Sequence, residues 1–173
     1  GYKMSQTQVE RLFIADKTSL MADEWRLTSS LTTSGAGSNH LNANWERNNS
    51  GGFGLLGTGM TESSGTFSFP STGIYEIQAN LYANAPSAGS STYIGIQIYS
   101  TQDNSSYTVR TDGYGSANAS AYVSVTVHHQ FDVTNTTNDK IRIHYNTGDS
   151  GVSIAGTSSR NVTYVRFKRL GDT

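Results

Sequence analysis

The stretch Gly73–Ala83, GIYEIQANLYA, decides the fold class. Tyr75, Ile77, Ala79, Leu81 and Ala83 fall on one side of it, and Glu76, Gln78 and Asn80 on the other. A period of two with one apolar side is the pattern of a half-buried β-strand, because successive side chains point to opposite faces. The same period recurs on both sides of this stretch. In Thr92–Ser100, Ile94, Ile96 and Ile98 oppose Tyr93, Gln97 and Tyr99. In Ala119–Val133, Val123, Val125, Val127, His129 and Phe131 oppose Ser124, Thr126, His128 and Gln130. Lys140–Asn146 and Val162–Leu170 repeat the pattern through Ile141, Ile143 and Tyr145, and through Val165 and Phe167.

Shorter strands are expected at Asn44–Arg47, Phe53–Leu56, Thr66–Phe69, Tyr107–Thr111 and Val152–Ala155. The connectors PSTG (70–73), DNSS (103–106), NTTND (135–139) and NTGDSG (146–151) are rich in turn-forming residues. About ten strands without a body helix predict an all-β chain, a two-sheet antiparallel jelly-roll sandwich. No internal repeat points to a propeller or solenoid.

Composition narrows the functional classes. Twelve basic and thirteen acidic residues leave a net charge of −1, so no strong field steers the chain towards nucleic acid or an anionic membrane. No apolar run approaches the roughly 20 residues of a membrane helix. Nothing at the N-terminus has the basic-then-apolar layout of a secretory signal. Cysteine is absent, which removes disulfides, thiol nucleophiles and thiolate metal sites. Ser, Thr, Asn and Gly take the place of charge, while ten Tyr, six Phe and two Trp separate the chain from disordered ones.

The only charge-dense part is Gln6–Arg26. There Val9, Leu12 and Phe13 have helical spacing over a segment too short to exclude an extended arm. Trp25 and Leu27 begin a first strand. The expected organisation is an N-terminal arm with that strand over 1–33, a Gly/Ser-rich linker over 34–43, and the jelly roll over 44–173. Gly1–Met4 stand outside this reading, since Met4 offers a start of its own.

Catalytic constellations are not visible. His128 and His129 are adjacent on a strand and point to opposite faces, which does not suit one metal ion. His129 shares the apolar side and reads as a core or interface residue. His128 and His144 could neighbour across paired strands. Glu46, Glu62, Glu76 and Asp112 lie on different elements, with no pair held across a cleft as glycoside hydrolysis needs. The run SGGFGLLGTG (50–59) lacks the Gly-Lys-Ser/Thr ending of a phosphate loop and reads as turns. No cofactor is expected. Calcium could bind only in the oxygen-rich loops Asp103–Ser106 and Asp149–Gly151.

Tyr93 and Tyr99 lie opposite the Ile stripe and Tyr122 opposite the Val stripe. Tyr buries a large area while keeping a polar tip, so these three are candidates for a subunit interface, with cross-strand pairing as the plain alternative. Trp45 is a candidate glycan contact, alone or with Tyr93 or Tyr99.

The segment GTGMTESSGTFSFPSTGIYEI (57–77) resembles the tumour necrosis factor / complement globular-head jelly-roll superfamily. Phe67, Phe69, Pro70, Gly73, Tyr75 and Ile77 carry the resemblance. FDVTNTTNDKIRIHYN (131–146) and the last strand, with Phe167 in YVRFKRLGDT (164–173), keep its order. The wider set NWER, GTGMTESSG, FPSTGIY, TQDNSSY, FDVT and VRFKRLGDT, spanning Asn44–Thr173, is similar to virion proteins of tailed bacteriophages that carry this jelly roll.

The resemblance implies a homotrimer in which each jelly roll packs against two copies and buries aromatic and aliphatic residues of one sheet. It transfers no catalytic residue. It implies a structural and adhesive protein of the virion, a tail-fibre or spike tip or a capsid decoration. Residues 5–33 would then dock to other virion proteins, and the head would meet a bacterial surface glycan. The alternatives are a secreted, lectin-like carbohydrate-binding module and, third, an enzyme acting on cell-surface polysaccharide.

Overall fold

The structure is a computed structural model that describes residues 20–48, 50–89 and 91–173, together with Ser5 and Thr7. The helix or arm expected around Val9, Leu12 and Phe13 lies outside the described residues. Among the described residues there are thirteen strands. In chain order they are β1 (Met21–Leu27), β2 (Ser29–Thr32), β3 (Gly37–His40), β4 (Trp45–Arg47), β5 (Thr61–Ser63), β6 (Thr66–Ser68) and β7 (Gly73–Asn84). Then follow β8 (Ser91–Thr101), β9 (Thr108–Ala117), β10 (Tyr122–Val133), β11 (Lys140–Thr147), β12 (Ser153–Thr157) and β13 (Tyr164–Gly171).

They form two antiparallel sheets, as the alternation predicts. The first is built on β7. One edge of β7 pairs with β10 over its whole length, from Gly73 opposite Val133 to Asn84 opposite Tyr122. Its other edge is shared in succession by β13 and β12, with β1 and β4 beyond β13 and β2 beyond β12. The second sheet runs β5, β6, β11, β8, β9, and β3 continues the β6 side of β11.

The five long expected strands are observed as β7, β8, β10, β11 and β13. Three expectations change. Phe53–Leu56 is not a strand: Leu56 makes a single bridge to Ala22, and the flanking glycines leave Phe53, Leu55 and Leu56 in an exposed loop. Within the expected linker, Gly37–His40 pairs with β11. The first strand, β1, lies inside the first sheet between β13 and β4.

The inward rows meet as an apolar core. Tyr75, Ile77, Ala79, Leu81, Val165 and Phe167 of the first sheet face Ile94, Ile96, Ile98, Ile141 and Ile143 of the second, all fully buried. At one end the core is aromatic. Phe67 lies 5.2 Å from Phe167 and takes the edges of Trp25 and Trp45 at 5.8 and 5.5 Å. Phe69 packs on Tyr75 at 4.7 Å and on Phe131 at 5.7 Å. The Tyr75 hydroxyl donates to the Ser71 carbonyl at 3.0 Å, so its polar tip closes the turn that begins at Pro70.

That turn is also tied to the chain's end. Gly73 has φ +130°, and a Cβ there would lie 2.4 Å from the Gly171 carbonyl oxygen, so only glycine fits. Arg169 donates from Nε to the Thr72 carbonyl at 3.0 Å and is ion-paired with Asp172. The two motifs that carry the resemblance, FPSTG and RLGD, are therefore halves of one clamp.

At the other end the sheets draw together. Gly113 and Gly115 of β9 face inward, and a Cβ on them would sit 2.7 Å from Val127 and 2.6 Å from Val123 of β10. The missing side chains let β9 rest directly on the Val row of β10.

Candidate functional site

Two outer faces carry the polar and aromatic residues that the core does not absorb. On the second sheet, the outward positions of β8, β9, β11 and β3 form one connected strip. Tyr114 lies flat over Gly95, where a Cβ would come within 2.3 Å of its ring, so a glycine at this position is what lets the ring settle. Its hydroxyl accepts from Gln97 Nε2 at 2.9 Å and Asn146 Nδ2 at 3.2 Å, and donates to Asp112 Oδ2 at 3.1 Å. Burial first, and then Asp112 against the opposing pull of Asn146, holds the Tyr114 phenol above its ordinary value, so it stays a neutral donor. Tyr93 stands edge-on to Tyr114, with centroids 5.8 Å apart and planes at 86°. Tyr93, Tyr114 and Asn146 line an open cavity of about 330 Å³.

Further along the same face three rings stack. Tyr99 lies 4.1 Å from His144, and His144 lies 5.1 Å from His40, its register partner on β3. Ser38 donates to Gln97 Oε1 at 2.6 Å and lies 3.3 Å from His144 Nδ1. Among the described residues His144 Nε2 is buried without a hydrogen-bond partner. Burial, then His40 and Arg142, lower its pKa to about 4; burial is also the largest cause that lowers His40. A Ser–His pair of this kind has no nucleophilic chemistry. The serine proton is directed to an amide, the imidazole is a weak base, and no carboxylate orients its other nitrogen.

On the first sheet, Tyr122 is 66% exposed and stacks parallel on Tyr82 across the β7–β10 pair, at 5.4 Å and 5°. An open cavity of about 370 Å³ beside the pair is lined in part by Asn84, Arg160 and Val162. Among the described residues β10 has no partner on its outer edge, and neither has β9.

The expected site residues therefore separate. Tyr93 and Tyr99 share the second sheet, while Tyr122 is on the first, so one covered sheet does not bury all three. Trp45 is not an open stacking surface. Its ring packs on Phe67, its Nε1 donates to the Leu41 carbonyl at 2.7 Å, and it belongs to the sheet opposite Tyr93 and Tyr99. His128 and His144 are not neighbours: His128 pairs with Gln78 on the first sheet and lies 3.9 Å from Glu76. His129 is half-buried beside Phe131, as its place on the apolar side predicts.

Tyr82, Tyr114 and His40 were missed. Tyr82 could have been found by extending the row Glu76, Gln78, Asn80 by two residues. Tyr114 stands between two glycines in DGYGS, a spacing that places it on the opposite face from them. His40 had no such signal.

Glu46, Glu62, Glu76 and Asp103 are held by contacts within the fold. Glu46 pairs with Arg26 at 2.6 Å, Glu62 accepts from the Gly65 amide at 2.6 Å, and Glu76 lies 3.5 Å from Lys168. Asp103 Oδ1 accepts from Thr101 Oγ1 and from the Ser105 and Ser106 amides at 2.7–2.9 Å, which closes its own turn. These bonds hold its carboxyl far below the ordinary value, the Thr101 hydroxyl foremost. Among the described residues, no three His, Asp or Glu side chains converge as metal ligands.

No protein-family model matches the chain, and no curated protein matches it in sequence. Solved structures do match it in shape. Murine APRIL, in crystals at pH 5.0, superposes with a TM-score of 0.62 at 12% identity, covering 87% of this chain and 99% of that one. Eiger TNF from S. frugiperda gives 0.61 at 14% identity, over 89% and 94%. The fold is the TNF-like jelly roll.

Proposed function

We propose that the protein is a homotrimeric head of the virion of a tailed bacteriophage, at a fibre or spike tip or as a capsid decoration, which meets the host surface. The N-terminal segment docks to other virion proteins in this reading. One observation carries the self-association: the exposed Tyr82–Tyr122 stack beside the open edge of β10. Long unpaired edges are normally covered, and a large apolar ring with a polar tip suits a subunit contact. The TNF-like fold and the near-neutral, Tyr-rich composition support the same reading, and the similarity of NWER, FPSTGIY and VRFKRLGDT to phage virion proteins supports the location.

The native mass tests the assembly. Light scattering should give three times the 18.6 kDa chain, and Tyr122→Glu should shift it towards one. A monomer at micromolar concentration overturns the trimer. Mass spectrometry of purified particles tests the location, since a secreted module would be found in culture supernatant and be missing from virions.

A further inference from the structure

We propose that the corner between Tyr93 and Tyr114 is a binding site for a neutral hexopyranose. It rests on the reading of the protein as a surface-recognition head, and places the recognition on the second sheet, away from the Tyr82–Tyr122 stack.

The argument begins with shape. Two rings at 86° make a floor and a wall, 37% and 45% exposed, over a strand where Gly95 leaves room for the Tyr114 ring. The cavity they line, about 330 Å³, lies at the small end of ligand sites, which run from about 300 to 1,000 Å³. One sugar ring is an occupant of that scale.

The polar groups sit at one rim. The Tyr114 hydroxyl is saturated by three hydrogen bonds, so it fixes its neighbours and does not itself offer a contact. It holds Asp112 by one oxygen and Asn146 by one N–H. The other carboxylate oxygen and the second amide hydrogen are left for a ligand, whereas Asn146 Oδ1 is buried and offers it no contact. Gln97, buried and bonded to both Ser38 and Tyr114, braces the set from beneath.

A ligand that satisfies this corner has an apolar face for the rings and adjacent hydroxyls for a carboxylate and an amide. A pyranose has both on one small rigid body. Among the described residues no Lys or Arg lines the cavity, and Asp112, bonded to the Tyr114 hydroxyl beside it, repels anions, so uronic and sialic acids are disfavoured. Single-site affinity for one sugar ring is weak. Three copies presented together raise it by about 10²–10⁴-fold where a repeating polysaccharide spans them.

The test uses the full chain on an array of neutral hexose oligosaccharides, with uronate-containing, sialylated and amine-bearing probes as the counterset. Retention of neutral probes is expected. Tyr93→Ala should abolish it and Tyr93→Phe keep it, because the ring, not the hydroxyl, makes the wall. Tyr114→Phe should weaken it at least ten-fold while leaving the fold intact, because Asp112 and Asn146 lose their anchor. The site is overturned if no neutral probe is retained, if only charged probes are, or if Tyr93→Ala and Tyr114→Phe bind like the parent. It is also overturned if Tyr93→Ala changes the native mass, which would make the corner a subunit contact. Native mass measured on the same samples separates the two proposals: a trimer that retains no sugar loses the site and keeps the assembly. A monomer that retains sugar does the reverse.

Discussion

Asp23 lies on the inward side of β1 with both oxygens in use. Its carboxylate accepts from the Met60 amide at 2.7 Å, from Trp25 Nε1 at 3.0 Å and from Arg47 Nε at 3.0 Å. A carboxylate removed from water is tolerated only when such donors replace its hydration. It binds β1, β4 and the approach to β5 into one unit, and Arg47 in turn lies over the Trp25 ring at 4.6 Å. Asp23→Ala should therefore cost about 3 kcal/mol, the low end for breaking a buried pair, since Arg47 is itself partly exposed. Glu76→Ala, which removes only solvent-screened contacts to Lys168 and His128, should cost less than about 0.5 kcal/mol. Urea denaturation of the two variants checks the contrast.

At the scale of elements, the packing of His40 of β3 on His144 of β11 predicts a stability that depends on pH. His144 has its pKa lowered to about 4 from an ordinary 6.5, by burial first and by His40 and Arg142. Below pH 6.5 the unfolded chain takes up the proton and the folded chain does not, so the folded state binds fewer protons. Stability then falls as pH drops from 6.5 to about 4, at less than about 1.4 kcal/mol per pH unit because solvent reaches part of the ring. Above 6.5 this contribution is constant. Arg142 and Glu62 act on His40 in opposite senses, Tyr99 covers the other face of His144, and half-buried His129 adds to the same slope. Chemical denaturation at pH 7 and pH 4.5 should show the fall, and His40→Phe with His144→Phe should reduce it to the part that His129 contributes.

The contact between β9 and β10 makes a separate prediction at this scale. Gly113→Val should destabilise the protein by about 1–3 kcal/mol, because the added Cβ meets Val127 at 2.7 Å. Val127→Ala in the same chain should return part of that loss, as residues in contact do not behave additively. Thermal midpoints of the single and double variants measure the coupling.

For the whole molecule, the assembly proposed above sets the Tyr82 and Tyr122 side towards copies of the chain and leaves the Tyr93 and Tyr114 side to the outside. An assembly that binds only folded chains makes stability depend on concentration. The thermal midpoint should rise with protein concentration in the parent chain and become independent of it in Tyr122→Glu. Calorimetry over a hundred-fold concentration range reads this directly.

The long strands and the sandwich were legible in the sequence because burial on one side imposes alternation. Tyr75 to Ala83 and Ile94 to Ile98 announce their inward sides without any partner being known. The Phe69–Pro70–Gly73–Tyr75 turn was legible for a similar reason: Gly73 and the buried Tyr75 leave the local backbone few alternatives. Position across the sheets was not legible. Gly37–His40 has no apolar row, so nothing local predicts a strand, and only its pairing with β11 makes one and brings His40 onto His144. Phe53–Leu56 has apolar residues, but it meets the edge of β1 at the single bridge Leu56–Ala22, which does not make a strand. Trp45 shows the same division, since a sequence gives the indole and only packing against Phe67 decides that it belongs to the core. Period and turn chemistry are local and so are written in the chain. Which Tyr meets which, and on which face, is set by strand order between distant segments, and that the tertiary structure alone decided.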